Sequence, residues 1–208
     1  MNQRAGLFIT LEGGEGAGKS TAAARLAETL RAEGLTVLAT REPGGTPGAE
    51  AMRALLLSTT ITLDPLAQTM LHFAARADLV ETVIRPALAR GEVVICDRFY
   101  DSTMAYQAYG LDVDVSAVAS MIRLINLRPD ITFMMEVSEN TANKRRKTRG
   151  GATDRYEQMG TEFMARVAHG FRAIVASEPG RCALIDAEKP IEAVVATMRQ
   201  VIRDRTGR

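Results

Sequence analysis

Apolar residues along this chain fall into two alternating kinds of segment. Short unbroken runs occur at Leu7–Leu11, Thr36–Ala39, Val93–Cys96, Ile131–Val137 and Ala183–Ile185. Between them lie longer stretches in which apolar side chains return every three or four residues, as at Ala22, Ala23, Leu26, Ala27 and Leu30. The runs have strand length and the stretches have helical period. A strand with one wet face would alternate, so unbroken runs imply strands covered on both sides: an α/β fold with a five-stranded parallel sheet flanked by helices. Pro86 falls late in a helical pattern from about Pro65 to Arg90 and is expected to kink or split it, because proline lacks the N–H an interior helical position needs.

A sheet of this kind gathers its ligands beyond the C-terminal ends of its strands. The conspicuous residues follow that rule. A glycine-rich segment comes after the first run, Arg41 after the second and Asp97 after the third, and a basic stretch arrives one helix after the fourth.

The chain has 208 residues, enough for one domain spanning 1–208. Twenty-six basic residues face twenty-five acidic ones, a net charge of +1, so no overall field draws the protein to nucleic acid or an acidic membrane. Small-molecule partners are expected. No segment approaches membrane-spanning length, and the N-terminal residues are too short for a signal sequence. Cys96 and Cys182 sit in apolar runs, as buried free thiols do, which fits a cytoplasmic protein.

The chemistry begins after the first strand. Gly13-Gly14-Glu15-Gly16-Ala17-Gly18-Lys19-Ser20-Thr21 fits the pattern Gly-x-x-x-x-Gly-Lys-Ser, with a strand before it and a helix after it. Glycines let backbone N–H groups turn inward around a polyphosphate, Lys19 adds a positive point charge, and the Ser20 hydroxyl is suited to magnesium. The helix N-terminus behind the loop faces the same anion. Asp97, ending the third run, stands where enzymes with this loop keep a carboxylate that holds magnesium through its water shell, and Arg98 stands beside it. The turn Arg41-Glu42-Pro43-Gly44-Gly45-Thr46 offers an arginine for a second anion. Finally, Lys144, Arg145, Arg146, Lys147, Arg149 and Arg155 surround Gly150-Gly151. Alone this would read as a solvated helix face; behind a triphosphate loop it reads as a mobile lid over about 142–156 that brings cations to the γ-phosphate and excludes water.

Switch GTPases, ATP-driven motors and small-molecule kinases share the loop. A GTPase should carry Asn-Lys-x-Asp after a strand, whereas Asn126-Leu127-Arg128-Pro129-Asp130 precedes one and lacks the lysine. A motor needs a larger sheet and insertions than this length permits. A kinase needs a second anion site and an arginine lid, and both have candidates here.

Four segments, Phe8–Thr21, Arg41–Thr46, Leu71–Val80 and Asp97–Gln107, with the lid as a looser fifth, resemble those of bacterial thymidylate kinases. The resemblance implies the P-loop fold of nucleoside monophosphate kinases, transfer of a phosphoryl group from ATP with Mg2+ to dTMP in dTTP synthesis, and a homodimer joined by the helices around Phe73. It implies that Phe73 stacks on the thymine and Arg76 bonds its carbonyl. Arg41, Arg53 and Arg98 would take the acceptor phosphate, with Ser102, Tyr106 and Gln107 in the nucleoside pocket and Tyr106 against the sugar face that a ribose 2′-hydroxyl would occupy. Glu15 matches a carboxylate near the sugar 3′-hydroxyl. Gly16 stands where the eukaryotic form has an arginine, which points to a lid arginine instead, Arg149 first and Arg145 second. The loose alternatives are another deoxynucleoside or deoxynucleotide kinase acting on a different acceptor, and a nucleotide-dependent regulatory switch with no acceptor at all.

Overall fold

A computed structural model describes residues 6–149, 156 and 159–208, with Arg149 described by its backbone alone. The five expected strands are present: β1 Leu7–Glu12, β2 Val37–Arg41, β3 Val93–Asp97, β4 Ile131–Glu136 and β5 Cys182–Asp186. They form one parallel sheet in the order β2-β3-β1-β4-β5. Since β1 lies in the middle, the loop that leaves it emerges between the ends of β3 and β4. This is the point where the chain's connections part to opposite sides, and it opens a crevice.

Both faces of β1 are buried, which is why its sequence does not alternate. Leu7, Ile9 and Leu11 pack with Leu26 and Leu30 of helix α1 (Lys19–Ala32) and with Met198 and Ile202 of α9 (Ile191–Thr206). Phe8 points the other way, into a cluster with Phe73, Leu79, Ile84, Val94 and Phe99. A third cluster, holding Tyr106, Tyr156, Phe163, Val167 and Phe171, joins α8 (Gly160–Ser177) to the rest.

Local chemistry sets the helix starts. Thr46 accepts from the Ala49 N–H at 2.9 Å to cap α2 (Pro47–Leu57), and Asp64 accepts from the Leu66 N–H at 2.9 Å to cap α3 (Pro65–Leu79). Each has proline next, at the position that has no helical N–H to satisfy. The Pro65–Arg90 pattern is indeed split. A π-helical turn, Val80–Ile84, separates α3 from the short α4 (Arg85–Ala89), where Pro86 sits in the first turn. The widened turn absorbs the break that proline imposes on the hydrogen-bond ladder.

After β3 comes α5 (Tyr100–Thr103), continued by a π-helical segment, Met104–Gly110. Helix α6 (Val115–Ile125) precedes β4, and α7 (Glu139–Arg149) follows it. The sequence-based lid spans 142–156, so its first part lies on α7, while residues 150–155 fall outside the described residues.

Phe133, fully buried in β4 between the sheet and the α1/α9 layer, tests this packing. Phe133→Ala is expected to lower unfolding free energy by about 3–5 kcal/mol, read from urea denaturation, because the layer cannot close over the lost ring.

Candidate active site

The glycine loop has the backbone its sequence promises. Gly13, Gly16 and Gly18 have φ of 133°, 78° and 84°, a region that other residues occupy only under strain. At Gly16 a second constraint applies. A Cβ there would lie 2.7 Å from the Ala142 carbonyl oxygen of α7, so the loop and that helix pass closer than a side chain allows. Lys19 opens α1 and folds back over the loop, where its ammonium donates to the Gly14 carbonyl at 2.8 Å. Burial, and then the positive charge of Arg98, lower its pKa from 10.5 to about 8, against the opposing pull of Glu15, Asp97 and Glu12. The Ser20 hydroxyl donates to Asp97, so the two oxygen donors expected to serve a cation lie side by side. Arg145 reaches across from α7 to donate to the Ala187 carbonyl at 2.9 Å and to the Gly16 carbonyl at 3.5 Å.

Arg98 ties this loop to a second cavity. Directly after β3 it takes a left-handed conformation, φ 70°, held by its N–H on the Leu11 carbonyl at 2.9 Å. The guanidinium donates to the Gly13 carbonyl at 3.1 Å, to the Ser102 hydroxyl at 2.9 Å and to the Tyr106 hydroxyl at 3.4 Å, and pairs with Glu15. Burial alone would lower its proton affinity; the Tyr106 phenol and the carboxylates of Glu15, Asp97 and Glu12 raise it instead, and the charge is permanent.

The cavity beyond Arg98 has a volume of about 90 Å³. Glu15, Arg53, Arg76, Ser102, Tyr106 and Gln107 line it. Arg76 is buried and gripped from two sides. Its Nε donates to Glu42 Oε2 at 2.8 Å, and its Nη2, in ion-pair contact with the same oxygen at 2.7 Å, donates to the Thr103 hydroxyl at 3.0 Å. Its Nη1 has no hydrogen-bond partner among the described residues, and neither has Glu42 Oε1. A buried donor without an acceptor costs free energy, which a ligand carrying an acceptor would recover. Arg53, half-buried, donates to the Pro43 carbonyl at 2.8 Å.

Two of the sequence-based candidates are placed elsewhere. Phe73 does not line the cavity; it is packed in the core beneath Arg76, whose guanidinium carbon lies 4.6 Å from its ring centre. His72 takes the wall position. On a helix, residues four apart diverge by about 40° and residues three apart by about 60°, so His72 lies nearer than Phe73 to the face that carries Arg76. Burial first, and then the charges of Arg76, Arg98 and Arg53, push the His72 pKa down to about 3 and keep its ring neutral. Its Nε2 meets the Tyr156 hydroxyl at 3.1 Å, which also accepts from Gln107 Nε2 at 2.9 Å. Arg41, the other exception, is half-exposed at the end of β2, where it donates to Glu50 at 2.8 Å and is not among the residues lining the cavity. The Arg149 side chain and Arg155 lie outside the described residues.

Glu42, Thr103 and Tyr156 also belong to the site and were not singled out by sequence. Only Glu42 left a signal, as the carboxylate of the turn Arg41–Thr46.

The lowered Lys19 pKa has a measurable consequence. Well above pH 8 this amine is largely neutral in the free protein, and an incoming polyphosphate favours the charged form. Binding must therefore take up about one proton near pH 9 and none through this group at pH 7, with affinity falling as pH rises between those values. Titration calorimetry of ADP in buffers of different ionisation enthalpy is expected to show that uptake, and Lys19→Met to abolish it.

Comparison with known proteins agrees with the geometry. The family model described as thymidylate kinase matches residues 11–198. The thymidylate kinase of Gluconobacter oxydans is 51% identical over 203 residues, covering 96% of this chain and 95% of that protein. The one from Caulobacter vibrioides is 45% identical over 205 residues, covering 97% and 98%. The crystal structure of thymidylate kinase from Ehrlichia chaffeensis superposes with a TM-score of 0.79 at 34% identity and covers 95% of this chain and 99% of that one. A family model over residues 11–198 and relatives 45–51% identical along nearly the whole of both chains leave one assignment: the chain belongs to the thymidylate kinase family.

Proposed function

We propose that the residues around Arg98 carry out the family's reaction, and that the cavity lined by Arg76 is the thymidylate site. As a thymidylate kinase, the chain transfers the γ-phosphoryl group of ATP to the 5′-phosphate of dTMP, giving dTDP and ADP. The observation that carries the site reading is the guanidinium of Arg98, which touches the loop through Gly13 and Glu15 and the cavity through Ser102 and Tyr106. A cation in that position faces both the group being transferred and the phosphate that receives it. Two anions brought into line repel one another, and an arginine shared between them offsets the repulsion.

The remaining roles follow from reach and chemistry. Lys19 and the loop N–H groups take the β- and γ-phosphates. Arg53 takes the acceptor phosphate with Arg98, and Arg41 joins them by exchanging Glu50 for it. Arg76 offers its bare Nη1 to a carbonyl of the base, His72 lies against the ring, and Gln107 and Tyr156 close the wall. Tyr106, which lines the cavity, stands by likeness to the family against the sugar face that a ribose 2′-hydroxyl would occupy, which favours deoxyribose. No general base is required, because the acceptor oxygen is already ionised.

Ser20 and Asp97 fit Mg2+, since a hydroxyl and a carboxylate oxygen lie together and this cation prefers oxygen. Among the described residues no group of three or more His, Cys, Asp or Glu is placed to hold a metal, which suits an ion held mainly by phosphates and water. When bound it would neutralise charge on the β and γ oxygens. Residues 142–156 act as the lid of a single domain, with Arg149, and after it Arg145, as the arginine that replaces the one absent at Gly16. The protein works as a cytoplasmic homodimer. Leu55 of α2, Leu66 and Met70 of α3 and Val115 of α6 are exposed apolar residues on helices near Phe73, and a second copy would cover them. No helix among the described residues is long and apolar enough to cross a membrane.

The acceptor is tested by coupling ADP release to a panel of thymidine, dTMP, dUMP, dCMP and dGMP with ATP and magnesium. Marked preference for dTMP is expected; equal rates across the panel would refute the base pocket, and nucleotide turnover indifferent to any acceptor would favour a regulatory switch. Arg76→Ala is expected to weaken dTMP binding by at least about tenfold with ATP binding nearly unchanged, the scale of one lost buried hydrogen bond to a charged group. Equal losses for both nucleotides would refute base recognition. Lys19→Ala and Arg149→Ala are each expected to lower kcat by about a hundredfold, the scale of one transition-state contact. Normal turnover by Arg149→Ala would remove it from the lid role.

A further inference from the structure

Glu12, the last residue of β1, is fully buried and takes no part in the roles assigned above. Strand alternation aims it to the same side as Phe8, towards the turn that follows β3. There, both of its oxygens are used. Oε1 accepts from the Phe99 N–H at 2.8 Å, and Oε2 accepts from the Ser102 hydroxyl at 2.6 Å. Burial, and then the charge of Asp101, raise the Glu12 pKa from 4.5 to about 8; in its ionised form the single proton of Ser102 is committed to Glu12, which leaves the hydroxyl oxygen turned as an acceptor towards Arg98 Nη1, 2.9 Å away. Reversing the first bond would spoil the second.

Arg98 needs such support. A non-glycine residue in the left-handed region carries strain of about 1–3 kcal/mol and keeps that conformation only where its surroundings fix it. On the preceding side the fixing is the bond from its own N–H to the Leu11 carbonyl. On the following side it is the grip of Glu12 on Phe99 and Ser102. Helix α5 itself is anchored separately. Asp101 accepts from Arg181 at 2.6 and 3.1 Å, and Arg181 also donates to Thr132 at 2.5 Å. A change at Glu12 therefore loosens the aim of Arg98 without releasing the helix.

We infer that Glu12 is a positioning residue that acts through Ser102 to aim the Arg98 guanidinium at the acceptor phosphate. The inference rests on the assignment of Arg98 to that phosphate. Glu12→Gln keeps size and shape and can still accept from Phe99 N–H, but it presents an N–H to Ser102 where an acceptor is needed.

The test is calorimetric titration at pH 9, where Glu12 is ionised, of dTMP and, separately, ADP without magnesium, for wild type, Glu12→Gln, Ser102→Ala and the double variant, with thermal melts to establish folding. Glu12→Gln is expected to weaken dTMP by about tenfold, the effect of degrading one charge-assisted contact, and to leave ADP within about twofold. If the effect passes through Ser102, the double variant binds dTMP no more than about twofold weaker than Ser102→Ala alone. Unchanged dTMP binding, equal losses for dTMP and ADP, or losses that multiply in the double variant would each overturn the inference. Should Glu12→Gln fail to fold, Glu12→Asp, which shortens the reach by one methylene, takes its place with the same expectations. Wild type unable to bind dTMP would instead refute the acceptor-site reading beneath it, a result distinct from the others.

Discussion

An arginine set into a protein wall must find an acceptor for each of its donors, and the way Arg98 meets that demand organises this molecule. Its partners come from two places: the glycine loop, through Gly13 and Glu15, and the turn after β3, through Ser102 and Tyr106. Those places are adjacent only because β1 and β3 are paired, with Leu11 opposite Asp97. The sheet order thus sets the distance between donor loop and acceptor cavity. The left-handed backbone of Arg98 is the local cost of turning its side chain into the gap rather than along the strand.

Charge in the crevice is arranged in excess of what the protein itself can satisfy. Burial, and then the charge of Arg98, lower the lysine pKa, and Arg53 adds a third cation that feels Arg98. Glu15, Asp97 and Glu12 oppose part of this, and an incoming anion would offset the rest. Around Arg76 the requirement changes from charge to pattern. Glu42 and Thr103 fix the Arg76 guanidinium so that one donor points onward, and the neutral His72 ring adds a flat surface without adding another cation. A monophosphate joined to a flat base with a carbonyl matches both.

The sheet was legible in the sequence because burial on both faces leaves unbroken apolar runs, and the loop because positive φ at Gly13, Gly16 and Gly18 leaves glycines at fixed spacing. The break in the Pro65–Arg90 helix was legible from Pro86, although not its form as a π-helical turn. What escaped was any choice settled by residues distant in the chain. Whether His72 or Phe73 faces the cavity depends on Tyr156, 84 positions later, and on the cluster around Phe8 and Phe99 that receives the phenyl ring. Arg41 looked available for an anion, but Glu50 turns back from α2 to meet it. Glu12, one position past the apolar run Leu7–Leu11, ends a buried strand and serves a turn 87 residues away.

The claim on which the rest depends is that Arg98 grips the acceptor phosphate. A crystal structure of the complex with dTMP tests it directly. The account predicts the 5′-phosphate within hydrogen-bond distance of the Arg98 guanidinium and the base carbonyl on Arg76 Nη1. A phosphate bound away from Arg98, with the Glu15 pair intact, would contradict it.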